Sequence, residues 1–242
     1  MAVKRKLYCL WTLGLCLVAS KSSKIPSITD PRFIDQCVRA HNEWRSDVNP
    51  PAADMKYMSW DAGLAKMSRA WANKCTFKHN TCLDKAYECY AAFEYVGENI
   101  WSGGLNSFSP KYAVTAWYDE YKFYDFNNLS CSEVCGHYTQ VVWAKSDKVG
   151  CAAASCPNLG HPTSTMFVCN YGPAGNYANM RPYQKGPSCS LCPPGDKCIM
   201  NLCRTPKLIF PKEKPVQEPM GKASQRIAFN LFSLGFLLLR IF

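Results

Sequence analysis

The sequence predicts an α+β fold in which helices pack on an antiparallel sheet. Three observations lead there. In the first half, apolar residues recur at helical spacing behind recognisable N-caps. In the second half the apolar pattern switches to period two. Helical and strand-like segments follow one another without βαβ repeats, so the helices belong on an antiparallel sheet rather than between parallel strands.

Asp30-Pro31 sets a side-chain acceptor ahead of a proline at the first helical position. Ile34, Cys37, His41 and Trp44 then recur at helical spacing, which predicts an amphipathic helix over 32–46. Pro50-Pro51 ends that region. Asp61 starts a second helix with Leu64, Met67, Trp71 and Cys75 on one stripe. Ser109-Pro110 opens a third, with Val114, Trp117 and Tyr121 facing inward. Beyond it, Tyr138, Gln140 and Val142 alternate with Thr139, Val141 and Trp143, which reads as a strand. Residues 149–154 and 166–170 predict two more strands. Together these elements define one domain over 27–180.

Residues 189–203 carry Cys189, Cys192, Cys198 and Cys203 around Pro193-Pro194-Gly195. A segment this small builds no core of its own and must be stapled. Metal binding is the competing reading of the Cys-x2-Cys pair. Residues 204–220 hold four prolines among alternating charges and read as an extended stalk.

Composition narrows the function. Of the 242 residues, 48% are hydrophobic and 13% aromatic, enough for a packed core, so a disordered chain is excluded. Fifteen cysteines point to an oxidising compartment. The net charge of +10 suggests nucleic acid, but its placement argues otherwise. Lys4, Arg5, Lys6, Lys222, Arg226 and Arg240 lie in two acid-free ends; without those six, 22 basic residues face 18 acidic ones, a net +4. No nucleic-acid partner is expected.

The ends read as addresses. A basic start, an apolar run over 7–18 and small Ala19 and Ser20 make residues 1–20 a secretory signal peptide. At the other end an apolar run over 227–242 follows small and polar residues, the layout of a glycosylphosphatidylinositol (GPI) attachment signal over 222–242. Gly221 is the first candidate for attachment and Ser224 the second. A short transmembrane tail and an uncleaved hydrophobic tail are the alternatives. Asn128-Leu129-Ser130 is a glycosylation sequon on Asn128.

The run Gly136-His137-Tyr138-Thr139-Gln140-Val141-Val142-Trp143 resembles the first signature of the CAP superfamily (cysteine-rich secretory proteins, antigen 5, pathogenesis-related 1). Phe167-Val168-Cys169-Asn170-Tyr171-Gly172-Pro173-Ala174-Gly175-Asn176-Tyr177 resembles its second, and Gly97-Glu98-Asn99-Ile100 and Trp117-Tyr118-Asp119-Glu120 resemble two intervening motifs. The likeness is greatest to the glioma pathogenesis-related branch and its sperm-associated members. It implies an α-β-α sandwich followed by a small disulfide-stapled hinge module. It implies a cleft with His79, Glu98, Glu120 and His137, and disulfides Cys75–Cys156, Cys151–Cys169, Cys189–Cys198 and Cys192–Cys203. No cofactor is required on this reading. The four cleft residues could hold Zn²⁺, or each histidine could simply be held by a glutamate. His41 and His161 are expected to be structural.

Cleavage of the signal peptide removes Cys9 and Cys16, so beside the eight implied partners five cysteines remain, and an odd number leaves at least one unpaired. Cys37, on a helical stripe, is the expected buried thiol; Cys82 with Cys89 and Cys131 with Cys135 are candidate local bridges. No Gly-x-Ser-x-Gly or His-Glu-x-x-His motif occurs. The expected function is therefore that of a GPI-anchored, non-enzymatic cell-surface binding protein. Gamete-surface proteins as partners, a role in fertilisation, and an acrosomal or membrane-raft location follow from the resemblance alone. Lipid or sterol carriage is the alternative, and a metal-dependent hydrolase a third.

Overall fold

The computed structural model describes residues 24–206. The signal segment 1–20, the stalk beyond 206, Gly221, Ser224 and the C-terminal tail lie outside the described residues.

The first helix, α1 (Pro31–Arg45), begins as its sequence requires: the Asp30 carboxylate accepts from the Arg32 backbone N–H, and Pro31 sets the first turn. After β1 (Ser59–Trp60) comes α2 (Ala62–Ala72), where Asp61 accepts from the Leu64 N–H at 2.8 Å. Strand β2 (Gly97–Gly104) follows, then α3 (Pro110–Tyr118), capped by Ser109 and continuing into a 3-10 turn over Asp119–Phe123. A short hairpin, β3 (Tyr124–Asp125) and β4 (Ser130–Cys131), leads to α4 (Gly136–Val141). Strands β5 (Lys148–Ser155) and β6 (Ser164–Gly172) complete the body, and β7 (Lys197–Ile199) with β8 (Leu202–Arg204) forms the last hairpin.

The main sheet has the order β1-β5-β6-β2, antiparallel except for the short parallel β1–β5 pairing. Helix α2 packs on one side of it, against β5 and β6, while α1, α3 and α4 pack together on the other. The result is an α-β-α sandwich. Most of β5 and all of β6 are buried, since helices cover both faces. A Cβ at Gly150 would run into the backbone of Asp61, Leu64 and Ala65, so α2 lies this close to β5 only because position 150 carries no side chain.

Six disulfides staple the body. Cys151 and Cys169 face each other across β5 and β6, and Cys75–Cys156 ties the chain beyond α2 to the end of β5. Cys82–Cys89 and Cys131–Cys135 close local loops; Cys189–Cys198 and Cys192–Cys203 close the hinge segment. That segment is not free-standing. The Cys203 N–H donates to the Met55 carbonyl, the Tyr57 N–H donates to the Cys203 carbonyl, and Leu202 joins the main core. Cys37 is the free cysteine among the described residues and is buried, with its thiol pushed well above the ordinary range by burial.

Three local readings differ from the sequence expectation. Residues 138–143 are not a strand; most of them form α4 and its C-cap. Tyr138, Val141 and Val142 lie three and four apart and are all buried, so the run fits helical spacing as well as period two. What decides is distant: the Glu120 carboxylate accepts from the His137 and Tyr138 N–H groups, satisfying the helix N-terminus from 17 residues upstream. Tyr121 does not face inward, because the tighter 3-10 turn rotates it out to 46% exposure. Cys75 lies beyond the end of α2, at a positive φ.

Arg45 is wholly buried, and all five of its N–H groups go to backbone carbonyls: two to Lys56, and one each to Val141, Trp143 and Ala144. Burial pulls its pKa down to about 9, which still leaves it charged at neutral pH. His41 is equally buried. Its Nδ1–H donates to the Cys37 carbonyl, and its Nε2 accepts from the Tyr171 hydroxyl. Burial lowers its pKa to about 4.

Two outcomes follow. Arg45→Met takes the donor from the Lys56 and Val141 carbonyls and leaves those of Trp143 and Ala144 with one backbone N–H each, and it should cost about 3 kcal/mol or more in urea unfolding; a loss below about 1 kcal/mol would mean water replaces the guanidinium. The unfolded chain takes up a proton on His41 near pH 6.5 while the folded one resists until about pH 4. Its contribution is therefore present above pH 6.5 and is lost as the pH falls, by up to about 3 kcal/mol. NMR of the His41 ring should show a neutral imidazole down to about pH 4; titration near 6.5 would contradict the burial argument.

Candidate functional site

The four expected cleft residues come together as two His–Glu pairs. In the first, the His79 Nδ1–H donates to Glu98 Oε1 at 3.0 Å. Glu98 stands on β2 with its side chain fully buried, whereas the His79 side chain is 60% exposed. The same Oε1 accepts from the Asn80 N–H at 2.9 Å, and Oε2 accepts from the Asn170 amide at 3.2 Å. In the second pair, the His137 Nδ1–H donates to Glu120 Oε1 at 2.6 Å. The imidazole of His137, at the start of α4, stacks on Trp117 with 14° between the ring planes.

Each pair is rooted by an asparagine from the sheet. Asn170 on β6 holds Glu98 and in turn accepts from the Ser68 hydroxyl on α2 at 2.8 Å. Asn99, next to Glu98 on β2, donates to the His137 carbonyl at 3.0 Å and to the Tyr171 hydroxyl at 3.3 Å. Adjacent strand residues point to opposite faces, so Glu98 reaches the α2 side while Asn99 reaches the side of α1 and α4. The sequence reading singled out neither asparagine, although both lie inside the quoted motifs. The available signal was a polar residue flanked by Cys169 and Tyr171 in an otherwise apolar strand.

His79 and Glu98 line a cleft of about 630 Å³ whose far wall includes Gln140, Asn176 and Tyr177. Glu120 and His137 are not part of that lining. Among the described residues, no three ligand atoms of the four side chains lie within 4.8 Å of one another; the one such cluster is Cys189, Cys192 and Cys203, whose sulfurs are in disulfides. The glutamates thus act as holders of the rings, and among the described residues no hydrogen bond engages Nε2 of either histidine. His161 sits apart, its Nδ1 bonded within its own turn to Thr163. Asn128 is exposed in the β3–β4 turn, its side-chain amide donating to Asp125.

A profile of the "CAP: Cysteine-rich secretory protein family" matches residues 38–171. The chain belongs to the CAP family. Within it the chain falls in the glioma pathogenesis-related branch: it is 70% identical to human (Homo sapiens) GLIPR1-like protein 1 over the whole of both chains. It is 50% identical to mouse (Mus musculus) glioma pathogenesis-related protein 1, over 77% of this chain and 70% of that one. Among solved structures, NaASP2 with Zn²⁺ is 28% identical, covers 72% of this chain and 95% of that one, and superposes with a TM-score of 0.57. Na-ASP-1 is also 28% identical with a TM-score of 0.57, and this chain spans less than half of it, 46%. The paired cysteines of this CAP protein accord with the secretory character in the family's name.

The hydrogen bond that His79 donates to Glu98 raises the pKa of the imidazole above the ordinary 6.5, against a smaller opposing effect of burial. The charged ring is therefore favoured in the folded state, and its contribution is full below pH 6.5 and lost as the pH rises through the folded value. Glu98→Gln should lower the His79 midpoint in an NMR titration. An unchanged midpoint would show that the carboxylate does not set it.

Proposed function

We propose that the protein is a non-catalytic, GPI-anchored binding protein of the cell surface that acts in gamete interaction or fertilisation. On this reading it resides on sperm, including the acrosome and membrane rafts, and its partners are gamete-surface proteins. The observation that carries the binding role is the state of the two imidazoles. Each is fixed through Nδ1 by a carboxylate, and among the described residues neither is hydrogen-bonded to a hydroxyl or thiol. Nucleophilic catalysis needs such a partner. The body that holds them is stapled by six disulfides, which suits a fixed recognition surface. The sperm assignment is supported by the likeness to the 1-like branch, and the anchor by the apolar C-terminal run after Gly221.

The ligand type of the two imidazoles suits Zn²⁺. Neutral imidazole nitrogens whose other ring N–H is held by a carboxylate are the usual arrangement of a zinc ligand and its supporting shell. His79 and His137 would hold the ion through Nε2, with Glu98 and Glu120 orienting the rings. When bound, Zn²⁺ would supply a Lewis-acidic position for an oxygen or nitrogen ligand of the partner. That NaASP2, of the same fold, has been solved with Zn²⁺ supports a zinc-binding reading in general terms.

The test uses the full chain from a secretory host. A phosphatidylinositol-specific phospholipase C should release it from the cell surface, and the released protein should bind oocyte surfaces. His79→Ala/His137→Ala should fold and bind at least about tenfold more weakly, and a chelator should weaken the wild type similarly. Equal binding by both would leave the cleft a structural network. Failure of both to bind would remove the gamete role, and a chelator-sensitive hydrolysis lost in His137→Ala would make the protein an enzyme.

A further inference from the structure

The face of α2 turned away from the sheet carries Lys66 and Arg69, and Lys74 follows in the turn just beyond the helix end; all three are exposed. Lys66 and Arg69, three residues apart, are neighbours on one helix face, and the turn that follows, closed by the Lys74 N–H donating to the Trp71 carbonyl, places Lys74 at the end of α2. Exposed Asn73, the C-cap of α2, lies between Arg69 and Lys74 in the chain. The chain then folds back so that the Lys78 carbonyl accepts from Trp71 Nε1–H at 2.8 Å, while Lys74 Nζ lies 4.5 Å over the Trp71 ring. Trp71 thereby gathers Lys74 and Lys78 at the C-terminal end of the strip.

This strip has no counter-charge. From residue 62 to residue 83 the chain holds four Lys or Arg and no Asp or Glu. The loop at 155–164, whose Asn158 amide donates to the Cys75 carbonyl, is acid-free as well. None of the four basic side chains enters an ion pair among the described residues, whereas Lys85, Lys111, Lys122 and Lys148 all do. Four unpaired cations along one edge make a local positive field on a body of modest net charge. The ligand such a field selects is a linear polyanion. A six-disulfide protein matures outside the cytosol, whereas the anionic phospholipids face the cytoplasm. The polyanion within reach is thus an extracellular one.

We propose that the exposed face of α2 and the turn that follows it form a docking site for a sulfated polysaccharide. The polymer lies along the helix, its sulfates meet Lys66, Arg69, Lys74 and Lys78, and Asn73 adds an amide donor between them. The site rests on neither the His–Glu cleft nor the membrane anchor.

The test measures binding of the full chain to heparin at 0.15 M salt, beside two triple variants of equal net charge. Lys66→Glu/Arg69→Glu/Lys74→Glu removes the strip, and Lys145→Glu/Lys185→Glu/Lys197→Glu removes exposed charge elsewhere. The first should weaken binding about tenfold or more and the second less than about threefold, with desulfated heparin failing to compete. Thermal unfolding checks both variants; if the first triple does not fold, Lys66→Gln/Arg69→Gln takes its place, with an expected loss of about threefold. Equal weakening by the two triples, undiminished binding by the first, or no binding of the wild type to heparin would overturn the proposal. Binding to phosphatidylserine vesicles that heparin does not displace would assign the face to lipid and overturn it as well.

Discussion

Arg45 carries a full charge in the core, and no carboxylate forms an ion pair with it among the described residues. Desolvating a guanidinium is costly, and only complete use of its N–H groups offsets that cost. The carbonyls that take them up come from the last residue of α4, from the chain just after it and from Lys56. Carbonyls at a helix C-terminus are the orphan acceptors of the helix and carry its negative end, so a buried cation there serves two needs at once. The last residue of α1 thus fixes where α4 ends. Because α4 is only six residues long, Arg45 also bears on where His137 and Gln140 stand. Lys56 in turn bridges to Cys203, which brings the last hairpin under the same constraint.

The two His–Glu pairs belong to different layers of the sandwich. Glu98 is rooted through Asn170 and Ser68 into α2, and His137 through Asn99 and Tyr171 towards α1. The sheet is their common support, and β2 sends consecutive residues to its two faces. Buried polar chains of this kind are stable only when fully satisfied. Both carboxylates meet that condition by accepting backbone N–H groups as well as imidazole.

The sequence made the scaffold legible where the cause is local. Asp30, Asp61 and Ser109 announce their helices because a cap acts on the next three residues. The apolar runs at 149–154 and 166–170 lie inside β5 and β6 because sandwiched strands are buried on both faces. Strand β2 went unread: Gly97, Gly103 and Gly104 and the polar Glu98, Asn99 and Ser102 hide any alternation, and only pairing with β6 makes it a strand. α4 went unread because its N-terminus is satisfied by Glu120, outside any local window. The four site residues were legible only through family motifs. Their grouping into two pairs was not, since it depends on Asn99 and Asn170 meeting partners as far as 102 positions away.

Cys37 gives the odd cysteine count a role in oxidative folding. Twelve of the thirteen cysteines in the described region pair, and the thirteenth is sealed beneath α1. Any misbridged species that consumes Cys37 must pull it out of the core and must also strand a partner thiol from one of the six bridges. Such a species loses buried apolar contact and keeps a thiolate-capable group with which to attack the wrong bond and reopen it. The unpaired residue therefore works as a parity check: correct pairing is the arrangement in which the leftover sulfur is the one that reagents cannot reach.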